Sequence, residues 1–172
     1  MTDLSERDAR EVSGWLARLN TGGLLYGTIV CAASLTLGAG QGETEASLVQ
    51  AMTATLLIYW LAHVYTATVG DRHSGEHTVL RTRVAAAARR EATILIGGLP
   101  ALLTELSLAL AGVTLWVSVL VSICVAIVVL IVDGVLAGLH AGVTGWRLAA
   151  EGAGAAVFGI VIAILLVYLH TH

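Results

Sequence analysis

The hydrophobic residues of this chain fall into five long runs that are separated by short polar segments. A helix needs about 20 mostly apolar residues to cross the hydrocarbon core of a bilayer. The third and fourth runs together are too long for a single crossing, so we divide them at the turn Ala111-Gly112-Val113-Thr114. The pattern predicts an all-α integral membrane protein, a bundle of about five transmembrane helices, with spans near residues 22–37, 46–69, 92–111, 114–140 and 149–169.

The basic residues occupy only one side of this predicted bundle, and all nine of them are arginine. Cytoplasmic flanks of membrane proteins carry the excess of basic residues. The arginines precede the first span, lie between the second and third spans, or lie between the fourth and fifth. They are Arg7, Arg10, Arg18, Arg72, Arg81, Arg83, Arg89, Arg90 and Arg147. The other connections contain no arginine. The sequence therefore predicts a cytoplasmic N-terminus and an external C-terminus.

Composition supports this class of protein. The chain is 57% hydrophobic and 12% charged, and its mean hydropathy is +0.86, which lies outside the range of soluble domains. Cys31 and Cys124 each lie inside an apolar run, so we expect no disulfide. We also expect no enzymatic activity, because the spans hold no serine with a plausible base and no His-Glu-x-x-His helix.

One polar segment precedes the predicted transmembrane domain of residues 21–170, and a second lies within it. Residues 1–20 have apolar positions at helical spacing and predict an amphipathic helix, which either lies along the membrane surface or caps the bundle. Residues 71–91 predict a cytoplasmic helical hairpin with five arginines. It lacks the aromatic platforms of nucleic-acid-binding proteins, so we expect the lipid bilayer, and no nucleic acid, as its partner.

Four ionisable residues fall inside the predicted spans: His63, Glu105, Asp133 and His140. Charged groups at such depth are costly and indicate a functional site. Glu105 follows Pro100, whose missing amide hydrogen loosens a helix. From their predicted depths, we expect His63 to pair with Asp133 and all four residues to line a transport pathway. The alternative is that each forms only an inter-helix hydrogen bond that fixes packing.

A second polar cluster, Asp71, His73, Glu76 and His77, directly follows the second span. In a helix, His73 and His77 share a face at a spacing that suits two imidazole ligands on one metal. A divalent metal ion is the one cofactor that the sequence suggests, and a solvated polar loop is the alternative.

The ladder Gly134, Gly138 and Gly142 allows another helix to approach closely, within or between subunits.

The order of spans and two local sequences are similar to those of the vacuolar iron transporter family of divalent metal exporters. Residues 26–30, Tyr-Gly-Thr-Ile-Val, resemble the start of that family's first span, and residues 139–145 leading to Glu151 resemble its final connection. The resemblance implies a homodimer with a polar path between subunits. It also implies that His63 acts as a metal ligand, since it lies where the family has a methionine and glutamate motif.

These observations favour a small membrane transporter or permeation protein for a cation. The cation is a divalent metal ion with proton coupling, or else a proton or a monovalent cation passing through a channel. The expected location is the plasma membrane, and the expected assembly is a homodimer or higher homo-oligomer. A non-transporting scaffold or partner subunit is the alternative.

Overall fold

The structure is a computed structural model, and it describes residues 21–39, 44–70, 79–140 and 145–147, together with 150, 152–154, 157, 159–161, 164 and 168. This part of the chain is helical and contains no strand, which confirms the predicted all-α bundle. Five helices follow one another: α1 (Thr21–Ala39), α2 (Glu45–Gly70), α3 (Leu80–Arg90), α4 (Ala92–Leu110) and α5 (Leu115–His140).

Four of the predicted spans correspond to helices that are long and apolar enough to cross a membrane. These are α1, α2, α4 with α3 as its amino-terminal extension, and α5. The predicted division between the third and fourth spans is also confirmed, because Gly112 ends α4 with a φ of 70° and Val113 N–H donates to Leu108 O at 3.1 Å. In the fifth predicted span, the described residues are helical and include parts of the short apolar helix Gly152–Val161, and the other residues of this span lie outside the described part.

α1 lies at the centre of the bundle, in contact with α2, α4 and α5. It runs parallel to α4, since Gly23 contacts Thr93 and Cys31 contacts Gly98. The helices that follow one another across the bundle are antiparallel, as the contact between Gly38 and Leu48 indicates for α1 and α2. This alternation is the one expected of successive crossings, with the first and third spans running in the same direction.

Close approach of α1 and α4 depends on glycines. A Cβ added to Gly27 would collide with the carbonyl oxygen of Ile94, and one added to Gly97 would collide with the carbonyl oxygen of Leu24. Small residues of this kind let helix backbones approach each other in membranes, where apolar side chains gain little by leaving lipid. The glycine contact therefore fixes the rotation of α1 against α4. This seam differs from the one that the sequence predicts at Gly134, Gly138 and Gly142.

The end of α2 pairs with α3 to form a helical hairpin. Arg83 Nη2 donates to the carbonyl oxygen of Thr68 at 2.7 Å, in the last turn of α2. Trp60 Nε1 donates to Ala88 O at 3.4 Å. The guanidinium stabilises a helix C-terminus whose carbonyl groups have no partner within the helix. α3 forms part of the hairpin that was predicted over residues 71–91, of which 71–78 lie outside the described residues.

Candidate functional site

Asp133 is a buried acid in the second half of α5. It is 5% exposed, and its Oδ2 atom has no hydrogen-bond partner among the residues that the structure describes. The hydroxyl group of Thr28 on α1 faces the carboxyl group. Thr28 lies seven residues after Thr21, so the site is about 10 Å from the end at which α1 begins, the predicted cytoplasmic end. A carboxyl oxygen without a partner at this depth is unfavourable for folding and marks a candidate binding position.

Thr28 links Asp133 to the backbone of α4. Its Oγ1 atom lies 2.9 Å from Gly97 O and 3.1 Å from Leu24 O. The hydroxyl group has one hydrogen, so these two carbonyl oxygens compete for it. Pro100 also removes the amide hydrogen that would otherwise bond to Ile96 O, which leaves this turn of α4 rich in acceptors. The Asp133 carboxyl group also faces the Thr28 hydroxyl group, so it competes with the two carbonyl oxygens for the same hydrogen.

Glu105 is fully buried, at 0% exposed, but both of its oxygens have partners. Ser118 Oγ donates to Oε1 and Ser122 Oγ donates to Oε2, each at 2.8 Å. The two serines are four residues apart on one face of α5, so they present their hydroxyl groups together to α4. This arrangement is a satisfied inter-helix contact between α4 and α5.

Apolar side chains separate Glu105 from Asp133. Ser122 and Asp133 are 11 residues apart on α5, about 16 Å along its axis. Most buried side chains at the intervening levels are apolar, and the hydroxyl group of the buried Thr36 bonds to Ala32 O of its own helix. The apolar residues come from three helices: Cys31, Ala32, Leu35, Ala101, Ile123, Ala126, Leu130. The two acids belong to separate sites, and the predicted path from Glu105 to Asp133 is closed within the described bundle.

His63 does not pair with Asp133, and this prediction was wrong. The His63 ring packs against Tyr26 with ring centroids 5.1 Å apart, and its Nδ1 donates to Tyr59 O at 2.9 Å. Tyr26 and Thr28 are two residues apart on α1 and so point about 200° apart. Tyr26 is 49% exposed whereas Thr28 is 1% exposed. His63 and Asp133 consequently lie on opposite sides of α1, a separation that predicted depth could not reveal.

Several of the residues predicted to form functional sites lie outside the described part of the chain. Asp71, His73, Glu76, His77 and Gly142 lie outside the described residues, and His140 ends α5 with a side chain that is also outside them. Gly134 and Gly138 are buried. Within the described ranges, no group of three or more His, Cys, Asp or Glu residues is arranged to hold a metal ion.

A groove of about 620 Å³ lies between α1 and α2, away from both acids. Its middle is lined by small residues such as Ala33, Gly38 and Ala51, and one end carries Tyr26 and Tyr59. Its size is within the range of ligand pockets.

Sequence reasoning missed the partners of the two acids. Ser118 and Ser122 have the spacing of residues on one helix face, which could have identified them as a pair. Thr28 and Gly97 carried no such signal, because threonine and glycine are common throughout transmembrane helices.

The fold and the buried acids define this protein as a helical membrane protein with ionisable groups inside its bundle. No family model, no curated protein and no solved structure matches the chain.

Proposed function

We propose that the protein is a small membrane transporter or permeation protein for a cation, and that the carboxyl group of Asp133 contacts the cation. The observation that carries the proposal is the Asp133 Oδ2 atom, which is buried in the described bundle and has no hydrogen-bond partner within it. A side chain that served only packing would be expected to have its partners, as Glu105 does. An incompletely paired acid is the expected state of a site that accepts and releases a ligand.

The oxygen atoms near Asp133 favour a positively charged ligand. Thr28 Oγ1 faces the carboxyl group and lies near the carbonyl oxygens of Leu24 and Gly97. Magnesium and calcium ions require six or more oxygen ligands, more than this set supplies. A proton needs only one oxygen atom and is therefore the best match, and a monovalent cation and a divalent metal ion, which need several oxygen ligands, remain the rivals that the experiment must test.

Glu105 has a structural role in this proposal, since its two serine contacts hold α4 against α5. The apolar residues between the two acids imply that the cation reaches Asp133 from the predicted cytoplasmic end. Passage then requires the helices to move or a path between subunits, which is why we propose a homo-oligomer. We place it in the plasma membrane, and we propose transport rather than catalysis.

Proteoliposomes test the proposal directly. A pH-sensitive dye inside the vesicles would report proton flux driven by a valinomycin-clamped potassium potential, and a fluorescent chelator would report entry of Mn²⁺ or Fe²⁺. We expect cation flux in the parent protein, at least a tenfold loss in Asp133→Asn, and retained flux in the matched variant Glu105→Gln. Equal flux in Asp133→Asn and the parent would refute the role of Asp133.

Stability separates loss of function from loss of fold. Because the Asp133 Oδ2 atom lacks a partner among the described residues, we expect Asp133→Asn to unfold in detergent at the parent's temperature or above it. A strongly destabilised Asp133→Asn protein would instead indicate that the acid is structural.

The closed apolar centre of the bundle favours a second candidate, a non-transporting scaffold or partner subunit. The buried residues between the two acids leave no polar path through the described helices. Absence of proton, monovalent-ion and divalent-ion flux, combined with co-purification of one stoichiometric membrane partner, would support this alternative.

A further inference from the structure

α3 carries a concentration of positive charge that the proposed transport site does not use. Four arginines fall within its eleven residues, and the helix itself contains no acid. Arg81 and Arg89 are exposed, and among the described residues neither has an acidic partner. Arg90 pairs with Glu91 at an Nε···Oε1 distance of 3.1 Å, and Arg83 is bonded to Thr68. The available charge therefore lies on Arg81 and Arg89.

The length of α2 places α3 at the level of lipid headgroups. α2 has 26 residues and is about 39 Å long, whereas the hydrocarbon core of a bilayer is about 30 Å thick. About 9 Å of α2 must therefore extend beyond the hydrocarbon core if the helix starts at its opposite boundary. α3 packs against this final part through the contact of Arg83 with Thr68. The last turn of α3 contacts Trp60, which lies ten residues before the end of α2. The headgroup layer, where lipid phosphates lie, therefore surrounds the first turns of α3.

The exposed apolar residues of α3 are suited to the same environment. Leu80 is 53% exposed and Val84 is 40% exposed, and they are one turn apart on the face that also contains the buried Ala87. Val79, directly before the helix, is 72% exposed. A helix with basic residues on one face and exposed apolar residues on another is typical of a segment that lies in the membrane interface.

We propose that α3 is a binding site for the phosphate groups of anionic phospholipids, in the leaflet at which α2 ends. Arg81 and Arg89 bind the headgroups, and Leu80 and Val84 contact the upper part of the acyl chains. Guanidinium groups suit this role because they donate hydrogen bonds to phosphate in a bidentate geometry. The site would anchor the α2–α3 hairpin to the membrane surface whether or not Asp133 binds a cation.

Native mass spectrometry and thermal unfolding of the detergent-purified protein test the site, with phosphatidylglycerol and phosphatidylcholine as probes. The variants are Arg81→Gln and Arg89→Gln, alone and combined, and Arg147→Gln as a control for the single variants that removes one exposed arginine outside α3. We expect phosphatidylglycerol to bind and stabilise the parent and Arg147→Gln more than phosphatidylcholine does. Because each arginine near an anionic surface contributes about fivefold to binding, we expect about thirtyfold weaker phosphatidylglycerol binding in the double variant.

Three outcomes would overturn the proposal. One is equal stabilisation of the parent by the two lipids. The second is unchanged phosphatidylglycerol binding in the double variant. The third is that inorganic phosphate or a single-stranded RNA, at the same charge concentration, reproduces the effect of phosphatidylglycerol on the parent. A stabilisation by phosphatidylglycerol that decreases between low and high salt in the parent and in Arg147→Gln, but not in the double variant, supports the electrostatic origin.

Discussion

Thr28 on α1 donates its hydroxyl hydrogen toward the carbonyl oxygen of Gly97 on α4, with the two oxygens 2.9 Å apart. The two residues are 69 positions apart in sequence, and the helices that the bond joins run parallel. It forms because Gly97 has no side chain to hold the helices apart, and it places the threonine beside Asp133. One side chain thus contributes both to the packing of the bundle and to the candidate cation site.

Removing this hydroxyl group should weaken the bundle by a small amount. We expect Thr28→Val to lower the free energy of unfolding by about 0.6 kcal/mol, and by at most about 1.7 kcal/mol, the range for inter-helix hydrogen bonds in membranes. Unfolding in mixed micelles with increasing dodecyl sulfate, followed by circular dichroism, would measure it. The matched control is Thr53→Val, since the exposed Thr53 hydroxyl bonds only to Val49 O of its own helix. Equal effects of the two substitutions would contradict the inter-helix role.

A methyl group at Gly27 should destabilise the protein more. Its Cβ would collide with Ile94 O, a backbone atom that cannot move without displacing α4. We expect Gly27→Ala to cost about 1–3 kcal/mol, as overpacking of a close contact does. Gly70→Ala is the control, because a Cβ there meets no atom within 4 Å, and the same unfolding measurement should show no loss. A stable Gly27→Ala protein would mean that α1 and α4 are less closely packed than described.

The contacts of Glu105 with the two serines should appear as energetic coupling. In a double-mutant cycle of Glu105→Met and Ser122→Ala, we expect an interaction energy of about 0.5–3 kcal/mol, because the two residues share a buried hydrogen bond. The control cycle pairs Glu105→Met with Ser107→Ala, since the Ser107 hydroxyl bonds to Leu103 O in its own helix. Additive effects in the first cycle would show that Ser122 does not stabilise the acid.

The predicted orientation can be tested with single cysteines. Thr114 lies in the turn between α4 and α5, and Arg147 lies beyond α5, so the two positions should face opposite sides of the membrane. In intact cells we expect a membrane-impermeant maleimide to label Thr114→Cys and not Arg147→Cys. Labelling of the unsubstituted chain measures the background that the native Cys31 and Cys124 contribute. The reverse labelling pattern would place the N-terminus outside.

The sequence by itself determined the positions of the first four crossings and the turn that divides the third from the fourth. Each crossing is a local property, because a transmembrane helix satisfies its backbone hydrogen bonds within its own segment and needs only sufficient apolar length. The buried acids Glu105 and Asp133 could also be identified from sequence, since their charge conflicts with their apolar surroundings.

The tertiary structure alone decided which side chains meet. Depth along a helix can be counted from sequence, but the rotation of each helix about its axis cannot. That rotation depends on close contacts such as those of Gly27 and Gly97. It placed α1 between His63 and Asp133, where sequence reasoning had expected a pair. It also joined Glu105 to Ser118 and Ser122, and Asp133 to Thr28, because inter-helix contacts arise from packing of distant segments rather than from the pattern of any one of them.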